Sequence, residues 1–193
     1  MENTESYERY HLLFESLRSI IKETEQHTIN QDNDFFNKNV NFFVKSYLIT
    51  LCTYLESYLT EVATSHCNKI NNRLKNACLP HNFLVWRLKK EFKEKDLKYS
   101  NADLSVEKNE ISDSISGNPY KTIKAFSYLG VNLLSSAEFN LNKDLVNAIV
   151  LKRNNIIHHN DNANDISLAD IHSYIDLFLT YMLAVEKVIH DSN

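Results

Sequence analysis

The sequence predicts an all-α protein, a bundle of four core helices with additional short helices, and three observations carry that reading. Only two glycines and two prolines occur in 193 residues, far fewer than the turns of a β-sandwich or a doubly wound α/β fold demand. Apolar residues recur every three or four positions over long stretches, the spacing of one helix face. Hydrophobic content of 43% and charged content of 24% suit a soluble chain long enough to bury one sizeable core. No internal repeat divides it, so residues 1–193 are expected to form a single domain.

Tyr10, Leu13, Phe14, Leu17, Ile20 and Ile21 predict a first helix from about Ser6 to Gln26, ended by the polar stretch Thr28 to Asp34. The longest stripe follows: Phe36, Val40, Phe43, Tyr47, Leu48, Leu51, Leu55, Tyr58, Leu59 and Val62 describe one amphipathic helix of about nine turns. Pro80 breaks the chain before a helix from about Asn82 to Lys95, whose tail is the most basic part of the molecule. Arg87, Lys89 and Lys90 there read either as a solvated helix face or as a surface that steers RNA.

Residues 99–117 are polar and rich in Ser, Asn and Asp, and are expected to form a loop insertion with room for one short helical turn. Pro119 suits the first turn of a short helix for which Gly130 is the C-terminal cap. Leu141, Leu145, Val146, Ile149, Val150 and Ile156 stripe a helix from near Asn142 to about His158, where Asn160-Asp161-Asn162 supplies loop chemistry. Ser167-Leu168-Ala169-Asp170 is a short-acid capping box. It opens a last helix carrying Leu168, Ile171, Ile175, Phe178, Leu179, Met182 and Ile189.

Several function classes drop out. A net charge of −4 is wrong for a protein coated in basic surface, although it allows a local phosphate site. Three cysteines, Cys52, Cys67 and Cys78, form no CxxC pair and read as reduced thiols, with Cys52 in the core. A disulfide framework and a cysteine zinc site are therefore not expected. The opening Met1-Glu2-Asn3-Thr4-Glu5 lacks a signal-peptide pattern, and no apolar run approaches the roughly 18 residues that cross a bilayer. The expectation is a cytoplasmic protein without a membrane partner. Nothing matches a P-loop, a dinucleotide-binding glycine turn or a Ser-His-Asp layout.

What remains is Arg153-Asn154-Asn155-Ile156-Ile157-His158-His159-Asn160 at the end of an amphipathic helix. A guanidinium supplies fixed charge and several donors for a phosphate. A histidine, with an ordinary pKa of about 6.5, moves a proton in either direction near neutrality. An arginine followed five to seven positions later by a histidine arises by chance roughly 0.6 times in such a composition, so the setting of this pair gives it weight. Asn154 adjoins Arg153, an isoleucine separates the pair from His158, and a short polar loop leads into the final helix.

Arg153-Asn154-x-Ile156-x-His158 resembles the R-x4–6-H signature of HEPN domains (higher eukaryotes and prokaryotes nucleotide-binding), in the R-N-x-I-x-H form of prokaryotic toxin and phage-defence proteins. Tyr54-Leu55-Glu56-Ser57-Tyr58-Leu59 is similar to the LE-x-x-L stretch of that branch. The resemblance implies a helical bundle, a homodimer and a metal-independent endoribonuclease with RNA as partner and no cofactor. Carried over by position, Arg153 and His158 are the catalytic pair and Asn154 the polar residue beside the arginine. His159 is a second candidate, because the family's spacing varies. Lys152, Arg87, Lys89 and Lys90 are candidate RNA contacts, and Glu56 could support the site through the arginine.

An unrestrained ribonuclease would harm its host, so an antitoxin or other regulatory protein is an expected partner. The alternative is a noncatalytic HEPN-like module that binds RNA, a nucleotide or a protein. His158 and His159 point apart, and a metal site would need Asp161 or His172 brought to them, so no metal centre is expected. On an ideal helix Arg153 and His158 lie about 140° apart around the axis and about 7.5 Å apart along it. A two-fold dimer that juxtaposes two such helices would close the site.

Overall fold

The computed structural model describes residues 4–30, 34–88, 97–103, 105–159 and 161–192. Among them the chain forms seven α-helices and no strand: α1 (Glu5–Asn30), α2 (Asp34–Ala77), α3 (His81–Leu88), α4 (Lys108–Ser114), α5 (Pro119–Tyr128), α6 (Ala137–His159) and α7 (Leu168–Asp191). A 3-10 turn, Leu133–Ser135, precedes α6. The all-α bundle predicted from the apolar spacing is what forms. Helices α1, α2, α6 and α7 make the core.

Helix α2 is the spine. Its 44 residues extend well past the apolar stripe that ends at Val62, because Ala63, Cys67 and the buried polar residues His66 and Asn71 continue its inner face. Its inner face shares one buried cluster with Phe14 and Ile21 of α1, Phe139, Val146 and Ile149 of α6, and Ile175, Phe178, Tyr181 and Met182 of α7. Each large apolar side chain enclosed in this way contributes about 1.5–3 kcal/mol. Phe14 meets Tyr54 and Phe178 edge to face, so one ring of α1 registers both α2 and α7.

Helix α7 has the one window among the described helices long and apolar enough to cross a bilayer, with a mean hydropathy of 1.2. No such window was expected from the sequence. Its setting is that of a core helix: eleven of its residues are enclosed by the bundle, Glu186 among them. That carboxylate accepts hydrogen bonds from the Tyr58 hydroxyl (3.2 Å), from the Thr4 amide (3.3 Å) and from the Thr4 hydroxyl. A buried carboxylate is costly unless hydrogen-bonded, so these donors tie the start of α1 to α2 and α7. The capping box expected at Ser167 forms, with the Asp170 amide donating to Ser167 Oγ and the Ser167 amide to Asp170 Oδ2.

Other boundaries moved for local reasons. Helix α6 begins at Ala137, five residues before Asn142, because the Ser136 hydroxyl accepts from the Phe139 amide and caps it. Residues 99–117 are more than a polar loop. They contain α4, capped by reciprocal Glu107 and Glu110 bonds, and α4 carries Ile111 into the core, with Ile115 following at its C-cap. Two isoleucines four apart are one face of a two-turn helix, too few to show a period. Gly117 brings this segment against α6, where an added Cβ would meet Val150 at 3.3 Å. The predicted helix from Asn82 to Lys95 is seen as α3 over His81–Leu88, and its remainder lies outside the described residues.

Gly130 has φ 78° and ends α5 as expected, its amide donating to the Ser127 carbonyl and the Val131 amide to that of Phe126. The end of α2 meets the same demand with the wrong residue. Cys78 follows Ala77 at φ 48°, exposed, where a side chain is strained by roughly 1–2 kcal/mol. Cys78→Gly is expected to raise the urea-unfolding free energy by about 0.5–1 kcal/mol, the relief of strain exceeding the added freedom of the unfolded chain.

Candidate functional site

Helix α6 presents two faces. Phe139, Val146, Ile149, Val150 and Ile156 form the buried one, and Arg153 lies on it, four residues after Ile149 and three before Ile156. The guanidinium therefore points into the bundle, and its side chain is only 16% exposed. Arg153 Nη2 donates to Glu56 Oε2 of α2 at 2.7 Å, while Nε is enclosed and finds no acceptor. The link between Glu56 and Arg153 that the sequence raised is thus a direct ion pair. Glu61, also on α2, is engaged elsewhere, with Ser6 (2.6 Å) and Arg9 of α1.

One neighbour of Arg153 was not anticipated. Cys52 precedes Glu56 by one helical turn and shares its face of α2. Burial pushes the Cys52 thiol up to about 12, and the adjacent Arg153 guanidinium pulls the other way without reversing the shift. The thiol is therefore an uncharged wall of the arginine site. The i, i+4 spacing of Cys52 and Glu56 was the available signal, but it means something only once α6 is known to cross α2 at this height.

His158 and His159 are exposed at the other side of the helix end. Asn154, half-buried, lies one turn before His158, and among the described residues its side chain makes no hydrogen bond. The chain thus brings Arg153 to Glu56 and directs the histidines outward, in keeping with the separation of about 140° on an ideal helix. Asp161 and His172 do not approach the histidine pair as ligands: Asp161 accepts from Lys152 at 3.0 Å, and His172 faces Glu25 at 3.8 Å.

The candidate RNA contacts separate. Arg87 is exposed on α3 with its guanidinium over the Trp86 ring, 5.4 Å from the centroid. Lys89 and Lys90 lie outside the described residues. Lys152 is paired with two carboxylates, Asp165 at 2.8 Å and Asp161 at 3.0 Å. Those hydrogen bonds raise the Lys152 ammonium above its ordinary pKa and hold both carboxyls below theirs.

The RiboL-PSP-HEPN family model matches residues 15–191. This chain belongs to the HEPN family. The match runs from the middle of α1 to the end of α7 and so includes α2, α6, α7, the second half of α1 and the arginine–histidine cluster. HEPN membership puts the protein among nuclease-like or RNA-binding modules. No curated protein and no solved structure matches the chain.

The ion pair between Glu56 and Arg153 can be tested alone. Glu56→Gln keeps the volume and removes the counter-charge from a mostly enclosed arginine. Loss of a partner in a fully buried pair costs several kcal/mol. Because Glu56 is itself partly solvated, about 1–2 kcal/mol is expected, read as a lower urea midpoint at unchanged slope.

Proposed function

We propose that this HEPN protein is a metal-independent endoribonuclease, a cytoplasmic toxin or phage-defence effector that acts as a homodimer. The observation that carries the reading is the placement of Arg153-Asn154-x-Ile156-x-His158 at the exposed end of α6, with the arginine anchored from below by Glu56 and both histidines open to solvent. The 2′-hydroxyl of the RNA attacks the adjacent phosphorus and the 5′-oxygen leaves. His158 transfers the proton, and Arg153 balances charge on the phosphorane. The products are a 2′,3′-cyclic phosphate and a 5′-hydroxyl. Asn154, one turn from His158 on the same face, orients the ring or holds a phosphate oxygen. His159 is the alternate proton carrier.

The outer face of α6 supports the dimer. Leu141, Leu145 and Leu151 are 81%, 52% and 48% exposed. With the exposed Ala148 they form an apolar strip that runs along the helix toward His158 and His159. A second copy packed on this strip about a two-fold axis hides the leucines and brings two histidine pairs to one cleft. Arg153 joins that cleft by exchanging Glu56 for a phosphate oxygen. A second reading, a binding module without cleavage, draws on one observation: Arg153 is already satisfied by Glu56 and turned inward. In either case a protein that masks the α6 face would act as the restraining partner.

The test is cleavage of total RNA in EDTA by the wild type, Arg153→Ala, His158→Ala and His159→Ala. Loss of about 10²-fold or more is expected for Arg153→Ala and His158→Ala, with a smaller loss for His159→Ala and cyclic-phosphate ends on the wild-type products. Retained binding of intact RNA by the wild type would favour the module. Leu145→Glu is expected to shift the protein to monomer in analytical ultracentrifugation and to lower cleavage in parallel.

A further inference from the structure

We infer that Lys152 is a positioning residue: it pins the segment between α6 and α7 to the end of α6 and thereby sets where His158 is presented. The inference rests on the ribonuclease reading for its catalytic consequence and on geometry alone for the brace. Lys152 is one residue before Arg153 but leaves α6 on a different side, lining a cleft with Leu48, Ile149, Ile166 and Tyr174. Its side chain is 22% exposed, and its ammonium reaches Asp165 Oδ1 at 2.8 Å and Asp161 Oδ2 at 3.0 Å. One charge thus grips residues 161–166 at both ends.

The middle of the segment is fixed from α2. Lys45 Nζ donates to Asn162 Oδ1 at 3.3 Å, Asn41 Nδ2 donates to Asn164 Oδ1, and Ala163 and Ile166 are buried. The Asp161 amide donates to the Asn155 carbonyl at 3.3 Å, so the segment also closes the last turn of α6, the turn that carries His158. Without Lys152 the carboxylates of Asp161 and Asp165 would repel one another beside that turn, the Asp165 charge already opposing the ionisation of Asp161. The arrangement argues against a phosphate ligand. A cation already held by two carboxylates offers a net negative site, and an RNA phosphate would have to displace both.

The experiment compares wild type, Lys152→Met, Lys152→Arg and the double variant Asp161→Asn/Asp165→Asn by two readouts. These are hydrogen exchange over residues 155–166 and steady-state RNA cleavage as a function of salt. Lys152→Met and the double variant are expected to speed exchange over that stretch and to lower kcat about tenfold, since small displacements of a catalytic group carry penalties of this size. KM and the salt slope should hold, and Lys152→Arg should restore both readouts. The double variant keeps the lysine, so it separates a brace from a phosphate contact even if Lys152→Met folds poorly.

If Lys152→Met instead raises KM and reduces the salt slope by about one with exchange unchanged, Lys152 is an RNA ligand and the inference is overturned. Unchanged exchange in both variants overturns it as well. A wild type that cleaves no RNA defeats the ribonuclease reading, while exchange still decides whether Lys152 holds the segment.

Discussion

Because Asp34–Ala77 stay in one uninterrupted helix, about 66 Å long at 1.5 Å per residue, every other core helix must align its apolar face along a single rod. Helix α1 does so through Phe14, Leu17 and Ile21, and α7 through Phe178, Tyr181 and Met182. The crossing of α6 places Arg153 at the height of Cys52 and Glu56. The polar anchors on the rod are few and specific. Tyr58 reaches the buried Glu186, and Tyr47 shares a 2.6 Å hydrogen bond with Thr24. They fix the rotation of neighbouring helices that apolar packing alone would leave adjustable.

The same rod divides the charges of the cluster near the end of α6. Three kinds of environment occur within eight residues: Lys152 on carboxylates of the following segment, Arg153 on a carboxylate of α2, and His158 and His159 in solvent. A helix turns 100° per residue, so adjacent side chains leave the axis in different directions. Glu56 keeps the inward guanidinium compatible with burial, a charge that would otherwise be expensive there. The outward histidines and the leucine strip beside them are what a second molecule would meet.

Much of this was legible in the chain, and the failures have physical causes. Ser167 and Asp170 announced the start of α7, and Gly130 the end of α5, because caps depend on a few adjacent residues. The start of α6 was set too late, since Ser136 caps it ahead of the apolar stripe that marks its body. For α4 the sequence allowed only one short helical turn, because Ile111 and Ile115 are too few to define a period, although the core accepts both. The reach of α2 beyond Val62 was hidden because polar His66 and Asn71 occupy buried positions. The α6 miss is one of local capping, whereas those at α4 and α2 reflect tertiary burial overriding a local pattern.

Taken alone, the sequence determined the all-α class, the order of the four core helices and the membership of Arg153, Asn154 and His158 in one cluster. Those properties follow from residue spacing along a single helix, which the backbone geometry enforces. Only the tertiary structure decided where each charge goes: Arg153 to Glu56, 97 residues earlier, Lys152 to Asp161 and Asp165 rather than open solvent, and Cys52 against the guanidinium. The reason is that a partner across the bundle is selected by the height and rotation at which two helices cross. Those depend on the packing of the whole core and leave no mark in the local spacing.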